Sequence, residues 1–329
     1  MEKKAKYFER SDDDKVKCLL CPVGCKLKEG KSGVCRGRFC KDGELIVSNY
    51  GKVVSLSIDP IEKKPLYHFY PGQPILSTGP NGCNLKCANC QNWNISQENS
   101  QTRYISPEKM TEVCLNDGSI GVAYTYTEPF IWFEYLYDTM PLVQKNGGKN
   151  VLVTNGYVMP EPLEGILPFI DAMNIDLKSI DDKFYRKICH GRLENVQHTI
   201  TRAYEFGIHI EITNLLITDL NDSSKQISDL INWVASISPS IPLHFSRYYP
   251  TYKMKNPGTS EETLKQAYEI ARKKMDYVYL GNINVQGTSD TFCPKCGIEL
   301  INRQGYYANI KNLSGTTCGV CGYEVNLII

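Results

Sequence analysis

ILSTGPNGCNLKCANCQNWNIS, residues 75–96, runs from an apolar stretch directly into three cysteines within eight positions. Residues 75–79 read as a strand, and Cys83, Cys87 and Cys90 follow in a C-x3-C-x2-C loop. Three thiolates leave one position open on a four-ligand metal centre. Paired C-x2-C knuckles would favour zinc. A lone loop of this spacing favours a four-iron cluster, in which three cysteines hold three irons and the fourth iron is open to a small molecule. The alternative is a zinc site completed by a distant residue.

Outward from this stretch, strand and helix signals alternate. Strands are expected at 75–79, 120–126, 150–155, 172–178, 208–217, 242–247 and 277–282. Helices are expected at 107–117, with Ser106 as N-cap and Pro107 first, and at 130–146, closed by Gly147 and Gly148. Further helices are expected near 160–168, 181–188, 193–206, 222–237 and 260–274. Seven strands alternating with helices predict an α/β fold of parallel βα units, one unit short of a closed eight-unit barrel. In such barrels, function sits on the loops after the strands' C-terminal ends.

The domain boundaries follow the cysteines. Residues 1–75 form a cysteine-rich head and connector, 76–285 the partial barrel, and 286–329 a small tail. Twelve of the fourteen cysteines fall in three clusters. Cys114 and Cys189 stand alone and read as small buried hydrophobes. The remaining bulk properties narrow the function. Thirty-seven basic residues against 36 acidic give a net charge of +1, so no global field draws the chain to nucleic acid or to an anionic membrane. MEKKAKYFERSDDDK carries no apolar signal-peptide segment, and no run reaches the roughly 18 apolar residues of a membrane helix. A soluble, cytoplasmic protein without membrane or nucleic-acid partners is expected. In a reducing cytosol the clustered cysteines then point to metal rather than to disulfides.

The tail reads CPKCG and CGVCG, with 21 residues between Cys296 and Cys318. Cys293, Cys296, Cys318 and Cys321 form two knuckles of the zinc-ribbon or rubredoxin-like kind, with zinc the first choice and iron of the same geometry the second. Metal would supply much of the folding energy of so small a unit. The head offers five thiolates, of which Cys18, Cys21, Cys25 and Cys35 are the expected ligand set and Cys40 the spare. Four thiolates suit either zinc or a second iron–sulfur cluster.

GCNLKCANC resembles the signature of the radical S-adenosylmethionine (SAM) enzymes. The resemblance implies that Cys83, Cys87 and Cys90 hold a [4Fe-4S] cluster whose open iron chelates SAM. One electron then cleaves the sulfonium to a 5′-deoxyadenosyl radical, which abstracts hydrogen from a substrate. It also implies a radical SAM core of (β/α)6-type TIM-barrel form. The hard chemistry belongs to the cofactor, and the protein places and secludes it.

Further segments carry the resemblance into the strand ends. YTYTEP (124–129) stands where the family has GGE followed by Pro, so Glu128 is the expected contact to the cofactor's amino group. Tyr126 and Thr127 stand at the two glycine positions. TNG (154–156) resembles the DTNG of pyruvate formate-lyase activating enzymes, with Thr154 at the Asp position and Asn155 following. DLK (176–178) matches those activases' own DLK, which implies Asp176 on the ribose and Lys178 on the cofactor carboxylate. His244 falls at their ribose-contacting His. Asn89 stands where an aromatic usually precedes the third cysteine, with its backbone available to the adenine edge and Trp93 as a substitute for stacking. Taken singly, Asp176 and Lys178 also read as a strand-end ion pair, His244 as a core histidine, and Glu128 as the acid of a helix N-terminus.

CLLCPVGC, DPIEKKPLYHFYPG, CQNWNIS, NIDLKS, LHFSRYYP and YLGN extend the resemblance to the radical SAM enzymes of the AmmeMemoRadiSam system. That group implies AMMECR1-like and Memo-like proteins as partners, along with a low-potential electron donor such as flavodoxin or ferredoxin. Two other functions compete: a multi-zinc binding module, and an electron carrier with no chemistry of its own. The missing basic stripe argues against the first, and the βα core argues against the second.

Overall fold

The computed structural model describes residues 2–11, 15–116 and 118–329. Eight strands form one sheet: β1 (Ser55–Pro60), β2 (Pro74–Gly79), β3 (Gly121–Tyr124), β4 (Lys149–Thr154), β5 (Ala172–Asp176), β6 (His209–Leu216), β7 (Leu243–Arg247) and β8 (Val278–Gly281). They lie side by side in chain order. From β2 to β8 every pairing is parallel, and β1 alone runs antiparallel, against β2. Six helices cross between the parallel strands: α1 (Pro107–Asn116), α2 (Phe133–Lys145), α3 (Pro160–Ile166), α4 (Leu193–Phe206), α5 (Ser224–Ile237) and α6 (Glu261–Ala271). Seven parallel strands and six crossover helices make the α/β partial barrel. Residue 117, the expected end of the first helix, lies outside the described residues.

The sequence dictates this arrangement locally. All four residues of β3 are buried, as a strand covered on both faces requires. α4 buries Leu193, Val196, Ile200 and Ala203, one stripe at helical spacing, and ends on Gly207 at φ 91°, where only glycine is unstrained. Ser223 and Ser260 accept from backbone N–H groups at the starts of α5 and α6.

Two expectations needed correction. Residues 55–60, read as part of a connector, are the sheet's antiparallel edge; most of β1 is only partly buried, so its apolar pattern is weak. Residues 181–188, read as one helix, are a three-residue turn (Asp182–Phe184) running into a π-turn (Tyr185–Cys189) that ends on His190 at φ 58°.

β1 and β8 are the two ends of the sheet, and the connector and tail fill the seam between them. Tyr67 packs 4.7 Å from the Tyr279 ring of β8. Arg303 of the tail donates to the Tyr67 carbonyl at 2.6 Å. Ile328 and Tyr70 extend this contact through backbone hydrogen bonds, Ile328 to the His68 carbonyl and Tyr70 to the Ile328 carbonyl. At the other end of the chain, two small antiparallel sheets make the head (Phe8–Ser11, Lys15–Cys18 and Lys26–Leu27; Lys3–Lys4, Arg38–Lys41 and Glu44–Val47). The head is tied to α2 by a fully buried bidentate pair, Arg38 to Glu134 at 2.9 and 2.6 Å. No helix among the described residues is long and apolar enough to cross a membrane.

Candidate active site

The loop after β2 carries Cys83, Cys87 and Cys90 over the C-terminal ends of the strands. Its backbone is pinned to the π-turn: Lys86 N–H donates to the Cys189 carbonyl at 2.9 Å and Ala88 N–H to that of Ile188 at 3.0 Å. Gly82, at φ 109°, lets the loop pass so close to the head that a Cβ there would lie 2.1 Å from the Cys35 carbonyl oxygen. All three cysteines line a cavity of about 340 Å³. That volume lies within the usual range for small-molecule sites. Burial pushes the Cys83 and Cys90 thiols up, so they need a positive partner to ionise at neutral pH.

The strand ends supply the rest of the wall. Thr127, Asn155, Asp176 and Lys178 all reach the cavity, as does Asn89 from the cysteine loop. Lys178 Nζ lies 2.9 Å from Asp176 Oδ2. Burial works to lower the Lys178 ammonium, but Asp176 and Cys87 outweigh it and hold its pKa well above the ordinary value. Asn155 Nδ2 lies 3.0 Å from Asn84 Oδ1 and 3.6 Å from Cys83 Sγ. Thr127 Oγ1 donates to the Pro80 carbonyl. Asn89 is 9% exposed, and its Oδ1 has no hydrogen-bond partner within the protein.

Four predicted residues sit elsewhere: Glu128, Thr154, His244 and Trp93. Glu128 is fully buried behind the wall, where Oε1 accepts from Phe130 N–H and Thr154 Oγ1, and Oε2 from Asn155 N–H. It caps the turn after β3, and with Thr154 it fixes the TNG loop. Burial pushes its carboxyl up to about 7, against those same hydrogen bonds. His244 lies deeper in the barrel, with Nε2 2.7 Å from Glu211 Oε2 and its ring 4.8 Å from Tyr67. Side chains alternate along a strand, so Ser246, two residues on, occupies the cavity wall instead. Trp93 stacks at 5.4 Å on Tyr252.

Sequence reasoning missed several members. Glu211 anchors the barrel floor, accepting from Tyr67 and His68 N–H and pairing with both His209 and His244. Burial works to raise its carboxyl, but the two histidines hold it far below the usual range. Its signal was a lone acid inside the apolar run IHIEITNLLI. Ser246, Thr213 and Asn282 also line the cavity; Ser246 and Asn282 fall within LHFSRYYP and YLGN, where no role was read for either, and Thr213 falls in no motif. Cys189, read as a small hydrophobe, is buried within interaction range of the Cys87 thiol.

The flanking cysteines separate clearly. In the tail, Cys293, Cys296, Cys318 and Cys321 bring their sulfurs within 4.8 Å of one another, with Cys293–Cys321 at 3.6 Å and Cys296–Cys318 at 3.7 Å. Gly297 and Gly322, both at positive φ, donate back to the carbonyls of Cys293 and Cys318 and close the two knuckles. In the head, Cys18, Cys21, Cys25 and Cys35 line one pocket. Cys40 turns away from it and meets the Glu29 carboxylate at 3.7 Å.

A cluster and SAM fit the main cavity on its own chemistry. Three thiols face it, an ammonium and a carboxylate stand on its wall, and one buried acceptor lacks a donor. Comparison with known proteins agrees. The Radical SAM superfamily model matches residues 78–234. An uncharacterized protein of Methanocaldococcus jannaschii is 42% identical over 99% of this chain and 100% of its own length. The pyruvate formate-lyase-activating enzyme of Clostridium pasteurianum is 25% identical over 47% of this chain and 67% of that protein. Among solved folds, a radical SAM methyltransferase from Sphaerobacter thermophilus superposes with a TM-score of 0.52 at 13% identity, over 85% of this chain and 76% of that one. Streptococcus suis SuiB bound to S-adenosylmethionine superposes at 0.51 and 15% identity, over 66% of this chain and 50% of that one. Over residues 78–234 the barrel matches the radical SAM superfamily, and the chain is an activase-like radical SAM enzyme.

Proposed function

We propose that this enzyme reductively cleaves SAM and uses the product radical to take a hydrogen atom from a protein or small-molecule substrate. When bound, the [4Fe-4S] cluster and SAM supply one electron transfer and a 5′-deoxyadenosyl radical. The chain's own residues place and seclude them. Cys83, Cys87 and Cys90 would hold the cluster, leaving one of its irons free for the cofactor. Lys178 stands ready for that carboxylate, and Asp176 for the ribose hydroxyls. Asn89 Oδ1 accepts from a donor on the adenine edge. Glu128 acts one layer back by fixing Asn155 and the turn after β3. At the mouth, Lys63 and Asn282 border the remaining space, where a substrate hydrogen would be presented.

One observation supports this reading above the others: the three-cysteine loop and the Asp176–Lys178 pair line the same cavity at the strand ends. The partners that fit are a low-potential flavodoxin or ferredoxin, with AMMECR1-like and Memo-like proteins as candidates on the substrate side. Zinc is the proposed tail metal, because sulfur contacts of 3.6–3.7 Å suit four thiolates on one ion. Anaerobically reconstituted protein with dithionite and SAM should form 5′-deoxyadenosine. The variant Cys83→Ala/Cys87→Ala/Cys90→Ala should form none, and continued cleavage by it would refute the assignment.

A further inference from the structure

The head pocket differs from the tail site in a way that bears on its metal. The four tail sulfurs crowd within 4.8 Å, which suits a single ion. Among the described residues theirs is the one such group: no three of the sulfurs of Cys18, Cys21, Cys25 and Cys35 lie all within 4.8 Å of one another, and neither do those of Cys83, Cys87 and Cys90. One zinc with four bonds of about 2.3 Å draws its thiolates nearly into contact, whereas a four-iron cube holds them at its corners.

The surroundings of the pocket suit a cluster. Leu20, Val23, Leu27, Val34 and Ile131 close it with apolar surface, which keeps water from the metal. Arg38 reaches the same pocket while 1% exposed, and its Nε has no hydrogen-bond partner. An unsatisfied guanidinium N–H at buried cysteines calls for an acceptor of negative charge, which a thiolate-bound cluster supplies.

The pocket also abuts the cysteine loop. Asn84 lines the head pocket, while its Oδ1 takes the hydrogen bond from Asn155 on the cavity side. The backbone of Gly82 lies against the Cys35 carbonyl. Both neighbours of Cys83 in the chain, Gly82 and Asn84, thus lie against the head's cysteine pocket or its Cys35.

We propose that Cys18, Cys21, Cys25 and Cys35 hold a second [4Fe-4S] cluster, the entry point for the electron used at Cys83, Cys87 and Cys90. This rests on the reading of the barrel as SAM-cleaving. The head cluster takes one electron from a low-potential donor protein, passing from the 2+ to the 1+ state. It returns to 2+ by handing that electron to the barrel cluster, which spends it on breaking the C5′–S bond of SAM. The surface around the head suits an acidic donor. Residues 15–41 hold eight Lys and Arg against a single acid, Glu29, and Lys26, Lys28 and Lys31 are exposed.

The test counts iron and acid-labile sulfide in the full chain and follows the reduced clusters by electron paramagnetic resonance. Wild type should carry about eight of each, and Cys83→Ala/Cys87→Ala/Cys90→Ala should keep about four of each, with a signal that SAM does not shift. Cys18→Ala/Cys21→Ala should keep the SAM-sensitive signal and dithionite-driven cleavage, while cleavage driven by reduced flavodoxin falls at least ~10-fold. Absence of sulfide from the triple variant, or about two zinc per wild-type chain, would overturn the head cluster. An unchanged flavodoxin-driven rate in the double variant would overturn the relay. Failure of the barrel assignment looks different: SAM would shift no signal in wild type, while the triple variant still held its sulfide.

Discussion

Replacing Lys178 with Met removes one charge from the cavity wall and leaves its shape nearly intact. A charge-assisted hydrogen bond to a ligand carboxylate contributes about 1.5–3 kcal/mol. The Lys178 side chain is 22% exposed and already shares Asp176 at 2.9 Å, so the lower part of that range applies. A loss of about 1.5–2 kcal/mol corresponds to a ~10–30-fold weaker Kd for SAM. The assay is titration of SAM into anaerobically reconstituted enzyme, with cluster absorbance recorded alongside. Absorbance should be unchanged, because Lys178 touches no iron. Lys63→Met is the internal comparison. Lys63 borders the same cavity, but it is half exposed and paired with Asp59, so its loss should change Kd less than ~3-fold. Equal affinities for Lys178→Met and wild type would remove Lys178 from the cofactor site and with it the reading of DLK.

Asn89→Leu should act in opposite directions on the apoprotein and the complex. It removes an unpartnered buried acceptor, raising the apoprotein's Tm, and it costs SAM binding about 1–3 kcal/mol; titration and thermal melts read the two effects. Burial pushes the His68 imidazole down to about 3, where Nε2 meets Tyr279 and Nδ1 the Asn326 carbonyl. A base with a depressed folded pKa contributes stability that is full above about 6.5 and is lost as pH falls toward 3, at about 1.4 kcal/mol per unit. Urea melts from pH 7.5 to 5.5 should show a loss of about 1.4 kcal/mol across that range in wild type and a smaller one in His68→Asn. Cys296→Ser should lose one metal equivalent by elemental analysis and lower Tm, with iron-bound sulfide unchanged.

The parts of the molecule legible in the sequence were those where chemistry and periodicity coincide. Seven parallel strands show because each is an apolar run ending in polar residues, and the cysteine loop shows because thiols at that spacing have few structural uses. Asp176 and Lys178 could be placed because a strand's end fixes where its next two side chains go. β1 was hidden by its partial exposure, which leaves no apolar alternation to read. Glu128 and His244 show the limit of a motif. Both stand in the expected order, yet a carboxylate with three internal donors and an imidazole paired with Glu211 are occupied from within the fold. Cys189 could not have been connected to Cys87 from sequence, because their contact depends on a π-turn that periodicity does not announce.

The buried pair between Arg38 and Glu134 has a consequence for how such an enzyme can diversify. A cut near residue 75, where the sequence suggests a boundary, would strip β1 from the sheet and strand Glu134 as an unpaired buried charge, a loss of about 3–5 kcal/mol. The head is therefore no interchangeable cassette. A lineage built on this barrel could acquire new substrates by changing loops at the mouth, but a new head would have to bring its own cation to α2 and its own edge strand to the sheet. Changes confined to the mouth loops leave both of those contacts untouched.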